Sequence, residues 1–324
     1  MRKKTGIFTT FTGVSENRIP YDLLVVLGPT ASGKTALAAR LASLLDGEVI
    51  SADSRQVYRR MDIGTGKDRT DYLINGKEIP VHLVDIADPG YQYNVFEYQH
   101  DFWEVYHDIR ARGGFPVLCG GSGLYIEAVL RNYQLIRVPV NEQLRAGLKD
   151  KTLGELTAIL KRCKPSLHNI TDIENEKRAI RAIEIEDFYA THPDFPKDLP
   201  AINSLVVGIS SDVAARRARI TERLHKRLSE GLVSEVRNLL ESGVSKEELI
   251  YYGLEYKFVT LYLTGELSYE DMTGKLNTAI HQFAKRQMTW FRRMERQGIT
   301  IHWIDGTLSP EDKTNMVLQL LKCR

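Results

Sequence analysis

Apolar residues in the first half of the chain come in short unbroken runs, separated by stretches of helical periodicity. The run at 22–27 (DLLVVL) ends at a glycine, and 34–45 then repeats Leu37, Leu41 and Leu44/Leu45 at helical spacing, which predicts strand, loop and helix. Further runs at 48–51 (EVIS), 81–86 (VHLVDI), 116–119 (PVLC) and 204–210 (SLVVGIS) read as strands, most of them followed by a helical pattern. One such helix is predicted to start at Asn94, because Glu97 completes a capping box and Phe102, Val105 and Ile109 then fall on one face. Alternating strands and helices imply an α/β protein, a mostly parallel sheet flanked by helices.

The alternation breaks between 133 and 202, where the pattern is helical without a convincing strand and closes on THPDFPKDLP, whose prolines forbid regular structure. That stretch reads as a helical insertion lobe. The core is expected over 22–132 and 203–324, the latter mainly amphipathic helix with a last strand at 299–304 (ITIHWI), and residues 1–21 as a flexible extension. No apolar run reaches the roughly 18 residues of a membrane span. The polar, basic N-terminus lacks the apolar stretch of a signal peptide, so a cytoplasmic protein without a membrane partner is expected. Cys119, Cys163 and Cys323 form no C-x-x-C pair, and the histidines show no metal-ligand spacing, which suits a reducing compartment. A net charge of +2 is too small to announce a nucleic-acid binder, so any basic surface must come from local clustering.

Chemistry enters with Gly28-x-x-x-x-Gly33-Lys34-Thr35, which follows a predicted strand, opens a predicted helix and so predicts a P-loop NTPase-like core. In such a loop, here Gly28 with Thr30, Ala31, Ser32, Gly33, Lys34 and Thr35, the backbone amides curl around an anion. Lys34 neutralises phosphate charge and Thr35 can ligate Mg2+. The motif alone leaves open whose diphosphate is held.

Asp53 ends the next strand, where carboxylates face the ligand crevice; it can organise Mg2+, accept a proton or cap a helix. Gly64-Thr65-Gly66-Lys67 is too short for a second phosphate loop and reads as a turn. Ser122, in CGGSGLYIEAVL, can donate to an anion or merely cap the helix that follows. Asp85 resembles the acidic residue of a second nucleotide motif and equally suits a salt bridge.

Basic residues cluster in three places. Arg216, Arg219, Arg223 and Lys226/Arg227 form one helical stripe, for which a solvated face is the ordinary reading. Lys177, Arg178 and Arg181 lie on the inserted lobe. Lys285-Arg286-Gln287 precedes Trp290, Phe291, Arg292 and Arg293, interleaving basic and aromatic residues as single-stranded RNA surfaces do, although Trp290 and Phe291 also suit a core.

Taken in order, GPTASGKT, ISADSRQVYRRMDIGT, HLVDIADP, GGSGLY, RITERLHKRLSEGLVSEV and AKRQMTWFRR resemble the tRNA dimethylallyltransferases (tRNA isopentenyltransferases) of bacterial type, from Asp22 to about Arg293. The resemblance implies that the diphosphate is dimethylallyl diphosphate, held with Mg2+, and that the five-carbon group goes to N6 of the adenosine 3′ of the anticodon. It implies that Asp53 is the base on the exocyclic amine, with Ser54, Arg55 and Gln56 close to the same nucleotide. Ser122 and Arg223 would meet the leaving diphosphate. Lys177, Arg178 and Arg181 would clasp the anticodon stem-loop together with Lys257, Gln282, Lys285, Arg286 and Gln287, and a monomer is expected. The chain departs from the usual pattern at Gly66, for alanine, at Ser122, for threonine, at Lys177-Arg178-Ala179-Ile180-Arg181, for Q-R-I-x-R, and at GLEYK (253–257), for I-G-Y-[KR].

Two other functions compete. An adenylate isopentenyltransferase shares the loop and carboxylate but has less need of a basic clasp. A P-loop kinase or RNA-dependent ATPase would need an acidic pair completing a hydrolytic site near Asp85, and the sequence offers none.

Overall fold

A computed structural model describes residues 19–133, 135, 138–163, 173–192, 201–210 and 212–322. The N-terminal extension before residue 19, the proline segment 193–200 and Cys323 lie outside the described residues. The chain divides into two units, one of residues 1–133 and 201–324, the other of 134–200.

The first unit is built on β1 (Leu23–Leu27), α1 (Lys34–Leu44), β2 (Gly47–Ala52), a small hairpin of β3 (Leu73–Ile74) and β4 (Lys77–Glu78), β5 (Val81–His82), α2 (Val95–Ala111), β6 (Phe115–Gly120) and α3 (Gly123–Leu130). Helices of the second unit follow. The chain returns through β7 (Ser204–Ser210), α7 (Val213–Ser229), α8 (Leu232–Glu241), α9 (Lys246–Tyr252), α10 (Leu254–Leu263), α11 (Tyr269–Arg296), β8 (His302–Asp305) and α12 (Pro310–Lys322). Six strands form one sheet in the order β5-β2-β6-β1-β7-β8, and every pair in it is parallel.

Every residue of β1 is buried, as befits a central strand covered on both faces. Leu24 and Val26 pack with Leu37 and Leu41 of α1 and Val317 of α12 in one core. A second core joins α7 to α11 around Leu224, Val236, Leu276 and Ile280, and takes in Val57, Tyr58 and Met61 from the loop after β2. The capping box expected at Asn94 and Glu97 forms, and Phe102 and Ile109 are buried on the inner face of α2. One expected strand is cut short. The apolar run at 81–86 gives only two strand residues, because Leu83 and Asp85 adopt left-handed backbone with φ of 60° and 58°. That turn sends Asp85, Ile86 and Ala87 against Gln56 and Val57, and lets the Asp85 carboxylate reach the buried Lys67 ammonium at 2.5 Å. Asp85 is therefore a salt-bridge residue that holds the loop after β2, with Arg69 at 3.0 Å on its other oxygen.

The second unit contains α4 (Glu142–Leu148), α5 (Leu153–Cys163) and α6 (Glu176–Thr191), with no strand among its described residues. Leu148, Leu156, Leu160, Ala179 and Ile183 form its core. Beside them the Glu184 carboxylate, almost fully buried, accepts from the Asn141 N–H at 2.6 Å and from Arg145 at 2.9 Å and 3.0 Å, and pairs with Arg181. Burial pushes this carboxyl up, but the hydrogen bonds from Arg145, Asn141 and Arg181 outweigh it and hold its pKa down to about 2.

A carboxyl held below its unfolded pKa stabilises fully above that pKa and loses its contribution as pH falls through the folded one. Thermal unfolding should therefore fall between pH about 4.5 and pH about 2 more steeply in the natural chain than in Glu184→Gln. Equal slopes by circular dichroism would mean that the cluster does not support α6.

Candidate active site

The register of the sheet brings three strand ends to one level. Leu27 of β1 and Ala52 of β2 both pair with Gly120 of β6, so the next residues, Gly28, Asp53 and Gly121, emerge side by side at the carboxyl edge. Open α/β sheets bind ligands there. In the loop after β1, Ala31 and Gly33 take left-handed backbone with φ of 59° and 80°, which turns successive amides inward. Gly33 caps α1, whose first turn carries no acidic residue, so the positive end of the helix is not offset locally. Ser32 Oγ is buried there without a hydrogen-bond partner among the described residues. The loop is braced from α11: Gln287 Oε1 accepts from the Thr30 N–H at 2.8 Å, and Gln287 Nε2 donates to the Gly121 carbonyl at 2.9 Å. A Cβ at Gly121 would stand 2.4 Å from that Nε2, so only glycine admits the brace.

Asp53 Oδ1 accepts from the Arg55 N–H at 2.9 Å. The Ser122 hydroxyl makes no cap bond to α3; it accepts from the Ser54 N–H at 2.9 Å and so ties the end of β6 to the end of β2. Gln56 is held by the Ser51 hydroxyl at 3.1 Å and donates to the Gly66 carbonyl at 3.2 Å, and the Arg55 guanidinium lies over the rings of Tyr251 and Tyr252. The 61–67 segment contains the turn expected at Gly64-Thr65-Gly66-Lys67. Its amides at Asp62, Ile63 and Gly64 all donate to one carboxylate, Glu235 of α8, at 2.6–3.0 Å.

Two cavities open beside this edge, of about 540 Å³ and about 450 Å³. Lys34, Thr35, Gly66, Arg223 and Arg227 line both. Asp53, Ser54, Arg55, Gln56 and Ser122 line only the first, which also takes in Lys257, Gln282 and Arg286; Asp68 and Asp71 line only the second. Burial pulls the Lys34 ammonium below its ordinary pKa, only partly offset by the nearby Cys119 and Asp53. Burial, and then the charge of Arg227, pulls Arg223 down to about 10. Neither cation has a hydrogen-bonded anion among the described residues. Cations held against desolvation in this way suit a site whose anion is the ligand. Thr35 with the carboxylates Asp53 and Asp71 offers the hard oxygen donors that Mg2+ prefers.

Other expected site residues stand elsewhere. Lys177, Arg178 and Arg181 are on α6 of the second unit; Arg178 pairs with Glu174, and Arg181 is engaged with Glu184 and, at 2.8 Å, with the Val138 carbonyl. Lys285 is exposed and lines neither cavity. The aromatic residues after it are packing: Phe291 is fully buried, and Trp290, stacked with Arg293, donates to the buried Glu127 of α3 at 2.8 Å. Nor is the stripe on α7 a solvated face throughout, because Arg227 is buried and Arg223 lines the cavities. Gln287 and Arg227 carried an unread signal. Each interrupts the apolar face of its helix, between Ala284 and Phe291 in one case and after Ile220 and Leu224 in the other. Glu235 carried none, since its role rests on a loop 170 residues away in sequence.

Comparison with known proteins adds to this geometry. The family model described as IPP transferase matches residues 56–294, and that described as Isopentenyl transferase matches 21–81. The chain is 60% identical over 302 residues to a protein of Bacteroides fragilis named tRNA dimethylallyltransferase 2, covering 93% of this chain and 98% of that one. It is 60% identical over 301 residues to tRNA dimethylallyltransferase 1 of Parabacteroides distasonis, with the same coverage. Among solved structures, the tRNA isopentenylpyrophosphate transferase of Bacillus halodurans superposes with a TM-score of 0.67 at 29% identity, over 93% of this chain and 97% of that one. A eukaryotic dimethylallyltransferase acting on tRNA shares the fold with a TM-score of 0.73 at 23% identity, over 92% of this chain and 77% of that one.

Gln287→Leu keeps the volume of the α11 brace but leaves the Thr30 N–H and the Gly121 carbonyl unpaired. It should cost about 1–3 kcal/mol of stability and speed amide exchange across residues 28–33. Exchange at the natural rate would show that the loop holds its shape unaided.

Proposed function

The chain belongs to the IPP transferase family of tRNA dimethylallyltransferases, and from that premise we propose the substrates and residue roles of its reaction. It is a prenyltransferase that modifies tRNA. In this reading the donor is dimethylallyl diphosphate and the acceptor is N6 of the adenosine 3′ of the anticodon. What carries the reading is the meeting of two cavities at Lys34 and Arg223, with Asp53 lining one of them.

The N6 nitrogen attacks the allylic carbon, the carbon–oxygen bond breaks, and the diphosphate leaves with the electron pair. Asp53 accepts the N6 proton, so no charge is stranded on the amine. Its Oδ1 is already fixed by the Arg55 N–H, which orients the carboxylate at the cavity wall. The leaving group is received by the amides of Gly33 to Thr35, by Lys34 and by Arg223. Donors pre-set for charge that develops in the transition state supply the larger part of such catalysis. Ser122 acts indirectly here, holding Ser54 and so the strand end that carries Asp53. Mg2+, held by Thr35 and a neighbouring carboxylate, would neutralise further diphosphate charge.

Because N6 lies within a stacked anticodon loop, the adenosine must be extruded into the first cavity, beside Arg55 and Gln56. Lys257, Gln282 and Arg286 on the same wall suit the flanking nucleotides, and Lys177 and Arg178 the stem. Among the described residues no helix is long and apolar enough to cross a membrane.

Incubated with total tRNA and Mg2+, the protein should move label from dimethylallyl diphosphate to RNA and none from ATP. Brisk tRNA-stimulated ATP hydrolysis without prenyl transfer would contradict the reading and favour an RNA-dependent ATPase. Transfer to free adenylate in preference to tRNA would favour the adenylate isopentenyltransferase. Asp53→Ala should lower the single-turnover rate roughly 10²–10⁴-fold while tRNA affinity stays near that of the natural chain. Collapsed tRNA binding with a normal rate in the residual complex would make Asp53 a recognition residue.

A further inference from the structure

Arg227 has no part in the roles assigned so far, yet it lines both cavities. Its side chain is 11% exposed. Nη1 is engaged twice, with Glu255 Oε1 of α10 at 2.9 Å and with the Gly64 carbonyl at 3.3 Å. Nη2 makes no hydrogen bond among the described residues. A guanidinium is a planar fork, so fixing one nitrogen fixes the direction of the others.

Gly66 shows what stands beside that free nitrogen. A Cβ built there would come within 1.9 Å of Arg227 Nη2 and 2.1 Å of Arg223 Nη2. The two cationic nitrogens are therefore no farther apart than those two distances laid end to end, and both press on the one residue that has no side chain. With φ at +68°, that residue also has a backbone that glycine adopts without strain. Two guanidinium groups this close repel each other, and Glu255 bonds only to Arg227. An anion seated against both would relieve the repulsion.

We propose that Arg227 is a second arginine contact for the substrate's diphosphate, acting beside Arg223 as a two-fork grip on the leaving group. Glu255 and the Gly64 carbonyl fix its orientation, and Gly66 leaves the space in which the two forks meet. The proposal rests on the prenyl-transfer reading above, and it adds a binding residue and the pair of residues that aim it.

Inorganic pyrophosphate in the presence of Mg2+, titrated calorimetrically into the full chain, is the probe. Arg227→Met alone would leave Glu255 buried and unpaired, so the informative variant is R227M combined with E255Q, which removes both charges at once. It should bind pyrophosphate roughly 10- to 100-fold more weakly while keeping its tRNA affinity. Affinity within about twofold of the natural chain would overturn the inference and leave the reaction as described. Failure of the natural chain itself to bind pyrophosphate would overturn the diphosphate reading, and this inference with it. Should the double variant not fold, Arg227→Lys decides, because it keeps a charge beside Glu255 and leaves Arg223 untouched but removes the fork. Weakened pyrophosphate binding there supports the grip, and unchanged binding overturns it.

Discussion

Lys34 and Arg223 are half-buried cations that line both cavities and have no hydrogen-bonded anion among the described residues, and the arrangement around them follows from that charge. Burial pulls both below their ordinary pKa values, so the folded chain holds them at a cost that a bound diphosphate would offset. The amides of the loop after β1 and the unopposed end of α1 add to the same field. The carboxylates nearby offset it only in part. Glu255 is bonded to Arg227, Asp53 to a backbone amide, and Asp85 to Lys67 away from the loop.

Holding such a field needs rigid walls, and the fold supplies them through long-range polar contacts at loop ends. Gln287 spans from the phosphate loop to the end of β6, Ser122 spans from β6 to β2, and Glu235 gathers three amides of the 61–67 turn. In each case a polar side chain satisfies backbone groups that would otherwise be buried unpaired. The second unit has its own version, in which Glu184 organises α4 and α6 and engages Arg181. Arg181 is thus partly committed to structure, and Arg178 is paired with Glu174.

How much of this was legible in the sequence depends on range. The strands at 22–27 and 204–210, the loop at 28–35 and the Asn94 cap are set by neighbours a few residues apart, and local pattern identifies them. The run at 81–86 misled because its fate is decided by Lys67, whose buried charge draws Asp85 out of strand geometry. Glu235 was invisible for the same reason. Gln287 and Arg227 were half visible, as polar residues on apolar helix faces, but their partners come from other elements. The interleaved basic and aromatic stretch at 285–293 divides its work: Trp290 and Arg293 meet the buried Glu127, whereas Arg286 lines the first cavity.

In the proposed reaction the diphosphate lies between the loop after β1 and the arginines of α7 while the adenine reaches Asp53 from the other cavity. A crystal structure with an anticodon stem-loop and an unreactive thio analogue of dimethylallyl diphosphate tests it most directly. The diphosphate should sit on the Gly33 to Thr35 amides with Lys34 and Arg223 in contact, and the extruded adenine should place N6 within hydrogen-bond reach of Asp53. A diphosphate bound elsewhere, or an adenine still stacked in its loop with Asp53 turned away, would contradict it.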